Sequence, residues 1–374
     1  MKVSIAATNP CHLYPLAVEL ARAGDLGAYY SGYPAWKLAA PPRMPVRTHS
    51  FRTTLTYAAL KFLPPSLRPA PHKLFSWQDR HFDAWVGRAL EPCDFLHAMP
   101  GQAPCAFERA RALGIRTVLN HATGPVRDWV RIMEPEYQRV GLRLADFCPY
   151  DAAYFAREDR EYALTDFHCV ASTVVRDQLL ARGIPANRIW LAGYGAEPEI
   201  FHSRDRATPD PFRIVFAGQL ILRKGLRTLL DALTHLDHPD WEMHFYGGLT
   251  PEVHHDFASY KGRTPLTHHG PVSQRDLGEA FRNASILVLP SLEEGFGLVV
   301  PQALNCGLPC LVSERVGAKD LIRHRQNGSI FPTSAPGALA DELTWWRAHW
   351  YPLNETHLWQ EPAAILRKQM RNEL

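Results

Sequence analysis

A chain of 374 residues is too long for one ordinary hydrophobic core and predicts two domains. With 46% hydrophobic and 21% charged residues, it is neither globally disordered nor a fibrous repeat. The formal charge is only +3, shared unevenly: residues 1–195 hold 23 Lys and Arg against 17 Asp and Glu, and the remainder 18 against 21. That excess predicts an N-terminal half that meets something anionic, a membrane surface or a phosphorylated acceptor, with a merely solvated Arg-rich face as the alternative. Seven scattered cysteines with no C-x-x-C pair are neither a disulfide framework nor a zinc site, and fit a reducing cytoplasm. No nucleic-acid partner is expected.

The opening MKVSIAATNPCHLYP carries one Lys and a broken apolar run, without the form of a secretory signal. Residues 3–7, 95–99, 117–120 and 169–171 read as buried strands. Between them, residues 16–23 and 104–113 read as helices stopped by Gly24 and Gly114. Alternation of this kind predicts parallel sheets covered on both faces. A Pro-rich, basic stretch, residues 41–72, interrupts the rhythm. It is expected as an irregular excursion forming an acceptor or membrane-facing surface, or a plain surface insertion. Residues 203–212, SRDRATPDPF, shift in composition and are the candidate linker. Strands at 213–217, 243–246, 286–289 and 310–312 then repeat the pattern. Residues 295–313 lack charge, but their Gly, Pro, Asn and Gln content reads as loop, helix, turn and strand, so no transmembrane helix is predicted.

Two segments carry chemistry. In FAGQLILRKGLRTLLDAL a strand ends at Gly218, a loop brings Gln219, Arg223, Lys224 and Gly225, and a helix follows with Leu226, Leu229, Leu230 and Leu233 on one stripe. Such a loop places amides, a helix N-terminus and cations at the carboxyl edge of a parallel sheet, where anionic ligands bind. Alone, an Arg-Lys pair in a loop is most often a surface pair. In ILVLPSLEEGFGLVVPQALNCGLPCLVS a strand leads to Glu293 and Glu294. Gly295 and Gly297 then open a helix near Gly297, where Pro301 is tolerated. A strand, paired turn glycines and acids in this arrangement rarely coincide in a plain solvated loop.

These segments, with HHGPVSQRDLGEAFRNASILVLPS and RIWLAGYGAEPEIF, resemble retaining glycosyltransferase family 4, most clearly over residues 160–335. The resemblance implies an α/β, GT-B fold of two Rossmann-like domains whose parallel sheets face a central cleft. Residues 1–202 would form the acceptor side, joined by a C-terminal helix at 356–374, and residues 203–355 the nucleotide-sugar donor side. It further implies that Lys224 binds the donor diphosphate and that Glu294 contacts the transferred sugar, with the amides of Phe296, Gly297 and Leu298 nearby. The base would sit near Val272, and His121, at a strand end, would approach the sugar.

Three positions depart from the family. Gln302 replaces the second Glu of its Glu, seven residues, Glu motif, which grips the ribose, and loss of charge assistance there weakens the hold by about 1 kcal/mol. Gln219 replaces the usual Arg, a phosphate partner for which Arg223 is the candidate substitute. TNPCHLYP replaces the Gly-rich loop after the first strand, so His12 either takes part or stands back.

No Asp-x-Asp pair is present, so no metal and no cofactor beyond the nucleotide-sugar co-substrate is expected. The resemblance implies transfer to a hydroxyl acceptor with retention, by same-face attack in which a donor phosphate oxygen helps to deprotonate the acceptor. The expected setting is cytoplasmic, or peripheral at the inner face of the membrane. A noncatalytic sugar-nucleotide-binding scaffold is the alternative. A nicotinamide-dependent dehydrogenase is weak, because the loop after the first strand lacks G-x-G-x-x-G.

Overall fold

Strands buried on both faces need a covering helix on each crossover, and the apolar runs of this chain collect accordingly into two parallel sheets. The structure, a computed structural model, describes residues 1–38, 40–204 and 210–374. Among these, the first sheet comprises β1 (Val3–Ala7), β2 (Leu26–Ser31), β3 (Val46–Thr48), β4 (Phe95–Ala98), β5 (Arg116–His121), β6 (Phe167–Val170) and β7 (Ile189–Leu191), in the order β3-β2-β1-β4-β5-β6-β7. The second comprises β8 (Phe212–Ala217), β9 (Trp241–Tyr246), β10 (Leu266–His268), β11 (Ile286–Leu289), β12 (Cys310–Ser313) and β13 (Gly328–Phe331), in the order β10-β9-β8-β11-β12-β13. Every pairing is parallel.

Strand order reverses direction between β1 and β4 in the first sheet and between β8 and β11 in the second. At such a reversal the loops leaving the two central strands diverge and open a crevice beyond their carboxyl ends, the usual ligand position in open α/β sheets. The loop after Ala7 and the loops after Ala217 and Leu289 therefore lie where binding is expected. Strands β1, β11 and β12 are buried along their full length, which fixes these crevices on rigid supports.

The expected irregular excursion at 41–72 is corrected. It holds strand β3 and a twelve-residue helix, Phe51–Phe62, before helix Pro71–Ala89 begins. Its prolines cluster at both ends and leave residues 46–63 free to pair and coil. Strands β2, β3, β7, β10 and β13 are further elements not marked in the sequence; β3, β7 and β10 are three residues long, while the six-residue β2 carries Gly27 and Ala28 in place of a branched apolar run. Of the predicted linker 203–212, residues 205–209 lie outside the described residues, and Phe212 already belongs to β8.

The uncharged stretch 295–313 forms helix Val299–Asn305 and strand β12. No helix among the described residues is long and apolar enough to cross a membrane. The last helix, Gln360–Asn372, returns to the first sheet. Its Ala363, Leu366 and Met370 share a core with Val3, Leu16 and Leu20, and Arg367 and Arg371 reach Asp25 at 2.5 and 3.2 Å.

Candidate functional site

Two loops meet at the crevice of the second sheet. After Ala217 the chain turns at Gly218, makes a short 3-10 turn over Leu222–Lys224 and enters helix Leu226–Leu236 through Gly225. A Cβ on Gly225 would lie 2.0 Å from the Pro290 carbonyl, so the backbone of this loop is clamped against the end of β11. That clamp sets the neighbouring side chains. Arg223 Nη1 donates to the Glu293 carbonyl at 2.9 Å and to its carboxylate at 3.1 Å, and lies 3.6 Å from Glu294 Oε2. Lys224 Nζ donates to Glu294 Oε2.

Two cations and two carboxylates are thus held together largely out of water, with the Lys224 side chain only 12% exposed. Burial would raise the Glu294 carboxyl, but Lys224 and Arg223 outweigh it and hold the group below its ordinary range. Glu293 is pushed up by burial, with Arg223 only partly opposing. A buried quartet of this kind carries a heavy desolvation cost that mutual attraction repays incompletely. An anionic ligand that took over the cations would compete with the carboxylates for them and leave Glu293 and Glu294 to find other hydrogen-bond donors.

A cavity of about 720 Å³ lies beside the quartet, walled by Gly218, Gln219, Val272, Leu298 and Gln302 on one side and His12 on the other. An adjoining cavity of about 540 Å³ shares Gln219 and adds Arg223, Glu293, Thr123 and Tyr150. Thus Gly218, Gln219, Val272, Leu298, Gln302 and His12 come together, and Arg223 stands next door. Glu294 and Phe296 are buried and Lys224 nearly so. Gly295 and Gly297 complete the turn before helix Val299–Asn305, whose N-cap is Leu298. Gln302 Nε2 donates to Gln274 Oε1 at 3.1 Å, pairing two amides where the family pattern has a carboxylate.

His12 is drawn into the N-terminal half of the site. Its Nε2 lies 2.7 Å from Asn120 Oδ1 and its ring stacks on Tyr194 at 4.4 Å. Tyr194 also donates to Asn120 Oδ1, at 2.8 Å. Burial holds His12 down to about 4, so the ring is neutral near pH 7 and its Nε2 carries the hydrogen given to Asn120.

His121 departs from expectation. It ends β5, but its ring is fully enclosed, with Nε2 2.9 Å from His168 Nδ1 and Tyr162 edge-on, and it lines neither cavity. The reason is strand alternation: Asn120 takes the face toward His12, so its neighbour takes the opposite one. Asn120, Tyr194 and Gln274 were missed, since no local motif marks them.

The two halves touch at the same place. Ser172, N-cap of helix Thr173–Ala181, donates to the Gly295 carbonyl at 2.6 Å. The Thr173 amide and hydroxyl both donate to Asp320, at 2.7 and 2.6 Å. A Cβ on Gly295 would lie 2.3 Å from the Ala122 carbonyl, so only glycine lets the halves approach this closely. No group of three His, Cys, Asp or Glu among the described residues is placed to hold a metal ion.

Residues 199–357 match the family model described as Glycosyl transferases group 1. The chain is 28% identical to D-inositol 3-phosphate glycosyltransferase 1 of Catenulispora acidiphila over 70% of this chain and 66% of that protein. It is 29% identical to D-inositol 3-phosphate glycosyltransferase of Paenarthrobacter aurescens, over 58% of this chain and 60% of the relative. With the amylovoran biosynthesis glycosyltransferase AmsK of Erwinia amylovora the figures are 28%, 48% and 47%. The matched region therefore spans about half to two thirds of these relatives' length.

Among solved structures, Anabaena Alr3699/HepE in complex with UDP superposes with a TM-score of 0.64 at 14% identity, covering 100% of this chain and 94% of that one. The lipopolysaccharide outer core galactosyltransferase WaaB gives 0.63 at 15%, covering both chains in full, 100% each. At such identities the likeness carries the fold, which is GT-B.

Proposed function

We propose that this chain, with a glycosyl transferases group 1 domain at 199–357, moves a sugar from a nucleoside-diphosphate sugar to a hydroxyl acceptor with retention and without a metal. The observation that carries this reading is the Arg223–Lys224–Glu293–Glu294 quartet beside a cavity of about 720 Å³ at the carboxyl edge of β8 and β11. The diphosphate enters over Gly218 and Gln219 and takes Lys224 and Arg223 from the carboxylates. Glu294, released, turns to the sugar hydroxyls. The base sits at Val272 and the ribose at Gln302 and Gln274. The sugar-facing histidine is His12, whose loop lines the cavity, in place of the enclosed His121.

As the bond from the anomeric carbon to the diphosphate oxygen breaks, charge grows on the leaving group. Lys224 and Arg223, already fixed, meet it without reorganising, which is usually the largest catalytic contribution. The acceptor hydroxyl attacks from the same face, its oxygen bonds to the anomeric carbon, and its proton passes to the departing phosphate. Glu294 orients the sugar and forms no covalent intermediate. A cytoplasmic setting, peripheral at the inner face of a membrane, suits an acceptor carried on lipid. That HepE was crystallised with UDP and with UDP-glucose supports a nucleoside diphosphate as the ligand.

The test is a thermal-shift screen of UDP-, GDP-, ADP- and TDP-sugars, followed by product analysis with the best donor. Binding should raise the melting temperature by mass action. Absence of stabilisation by every donor would overturn the reading. Stabilisation without hydrolysis or transfer would favour a binding scaffold, the second reading to which Gln219 and Gln302 lend weight.

A further inference from the structure

We propose that the surface built on helix Phe51–Phe62 is a seat for an anionic lipid bilayer. The helix is amphipathic in the inverted sense. Its inward positions are Thr53 and Thr56, both buried, while Phe51 is 72% and Phe62 75% exposed, with Leu55 and Tyr57 also outside. Leu67 and Trp36 extend the apolar face, at 69% and 80% exposure. Trp36 is tied to this side through its own loop, since a Cβ on Gly32 would lie 2.8 Å from Thr53 Oγ1. A helix in water turns such residues inward. Large apolar side chains displayed together mark a surface that is covered in use.

The charge names the cover. From Leu26 through Gln78 there is no Asp or Glu, while Lys37, Arg43, Arg47, Arg52, Lys61, Arg68 and Lys73 supply seven cations. Several of these lie over aromatic rings of the same surface: Lys37 over Trp36 at 4.9 Å, Arg52 over Trp77 at 4.7 Å and Lys61 over Phe62 at 5.3 Å. Aromatic and aliphatic groups that enter the acyl boundary, ringed by Lys and Arg able to reach anionic headgroups, are the composition of an interfacial helix. Arg47 pairs with Glu91 at 2.9 Å; the other six cations leave a rim of positive excess that an anionic bilayer matches by its ordinary lipids.

The position gives the seat a use. Tyr57 donates to Asn9, just beyond β1, at 3.3 Å and packs edge-on against Phe75. Phe75, His72 and Lys73 line a cavity of about 470 Å³ that shares Pro149 and Tyr150 with the cavity beside Arg223. A lipid-borne hydroxyl entering from the seat would arrive at the site proposed above. The inference deepens that reading, yet it is tested without turnover.

Flotation of the full chain with vesicles settles it, using pure phosphatidylcholine against an equal mixture with phosphatidylglycerol. Binding to the mixture alone, weakened by salt, is expected. Lys61→Gln and Arg68→Gln should each lower the partition coefficient about 5-fold, and Phe51→Ser with Phe62→Ser should abolish binding. The melting temperature and any donor-induced shift should be unchanged, because these side chains project outward. Lack of binding to the mixed vesicles, or equal binding by the Ser variant, would overturn the proposal. So would a concentration-dependent dimer that the Ser variant loses, since a second copy would then be the cover. Failure of the donor screen with flotation intact would instead count only against the transferase reading.

Discussion

The two sheets present opposite electrostatic solutions. In the second, four formal charges are packed at one crevice, Arg223 and Lys224 against Glu293 and Glu294. In the first, four histidines are buried without a charge partner: His12 and His97 on the Asn120 side, His121 and His168 on the other. Burial brings His97 down to about 3 and His168 to about 4. One sheet gathers paired charges at its crevice and the other encloses neutral imidazoles.

The sharpest way to break the comparison is Lys224→Ala, which should lower transfer by about 10²- to 10³-fold, as loss of one preorganised contact to developing charge does. Lys224 is not the solvent-facing cation that a loop position suggests. The substitution should therefore also cost up to about 3 kcal/mol of stability, with Arg223 left to hold Glu294 alone. Unchanged turnover would remove the diphosphate assignment.

Gly295→Ala tests whether the halves must meet. Its methyl would strike the Ala122 carbonyl, and a displacement of the site on this scale costs about 100-fold in rate, while nucleotide affinity, measured by titration, should move far less. Equal losses in both would mean that the contact serves the donor site alone.

On the neutral side, the folded value of His97 lies below its ordinary one, so the unfolded chain takes the proton first. Its share of stability is complete above pH about 6.5 and is lost as pH falls toward the folded value. The unfolding free energy of the parent from urea titration, compared with that of His97→Gln, should therefore fall by about 2 kcal/mol more between pH 7.5 and pH 5. A pH-independent difference would show that His97 is not held neutral.

The smallest expected effect is that of Gln302→Glu, which should tighten nucleotide binding about 5-fold by restoring a charged acceptor. No change would separate this residue from the ribose.

How much of this was legible in the sequence follows the same division. The crevice of the second sheet could be located because its groups lie in two short segments, each a strand end, a loop and a helix start, and the sheet reversal joins them. The cluster on the first sheet could not, because His12, Asn120 and Tyr194 are separated by 108 and 74 residues and no local pattern relates them. The face that His121 takes depends on strand parity, which a four- or five-residue apolar run does not fix. Helix Phe51–Phe62 was hidden by the prolines beyond each end. Its outward phenylalanines and inward threonines defeat the usual inference that the apolar face is the buried one.

The return of helix Gln360–Asn372 to the first sheet has a consequence for biosynthesis. Asp25 and Arg367, 342 positions apart, form an ion pair beside the core that this helix completes, so the half that leaves the ribosome first is the half completed last. The nascent β1–β7 layer waits with the resting place of Leu366 and Met370 open until that helix has been made. Fragments divided between the sheets should therefore yield a competent later piece and an aggregation-prone earlier one, rescued by supplying the closing helix as a peptide.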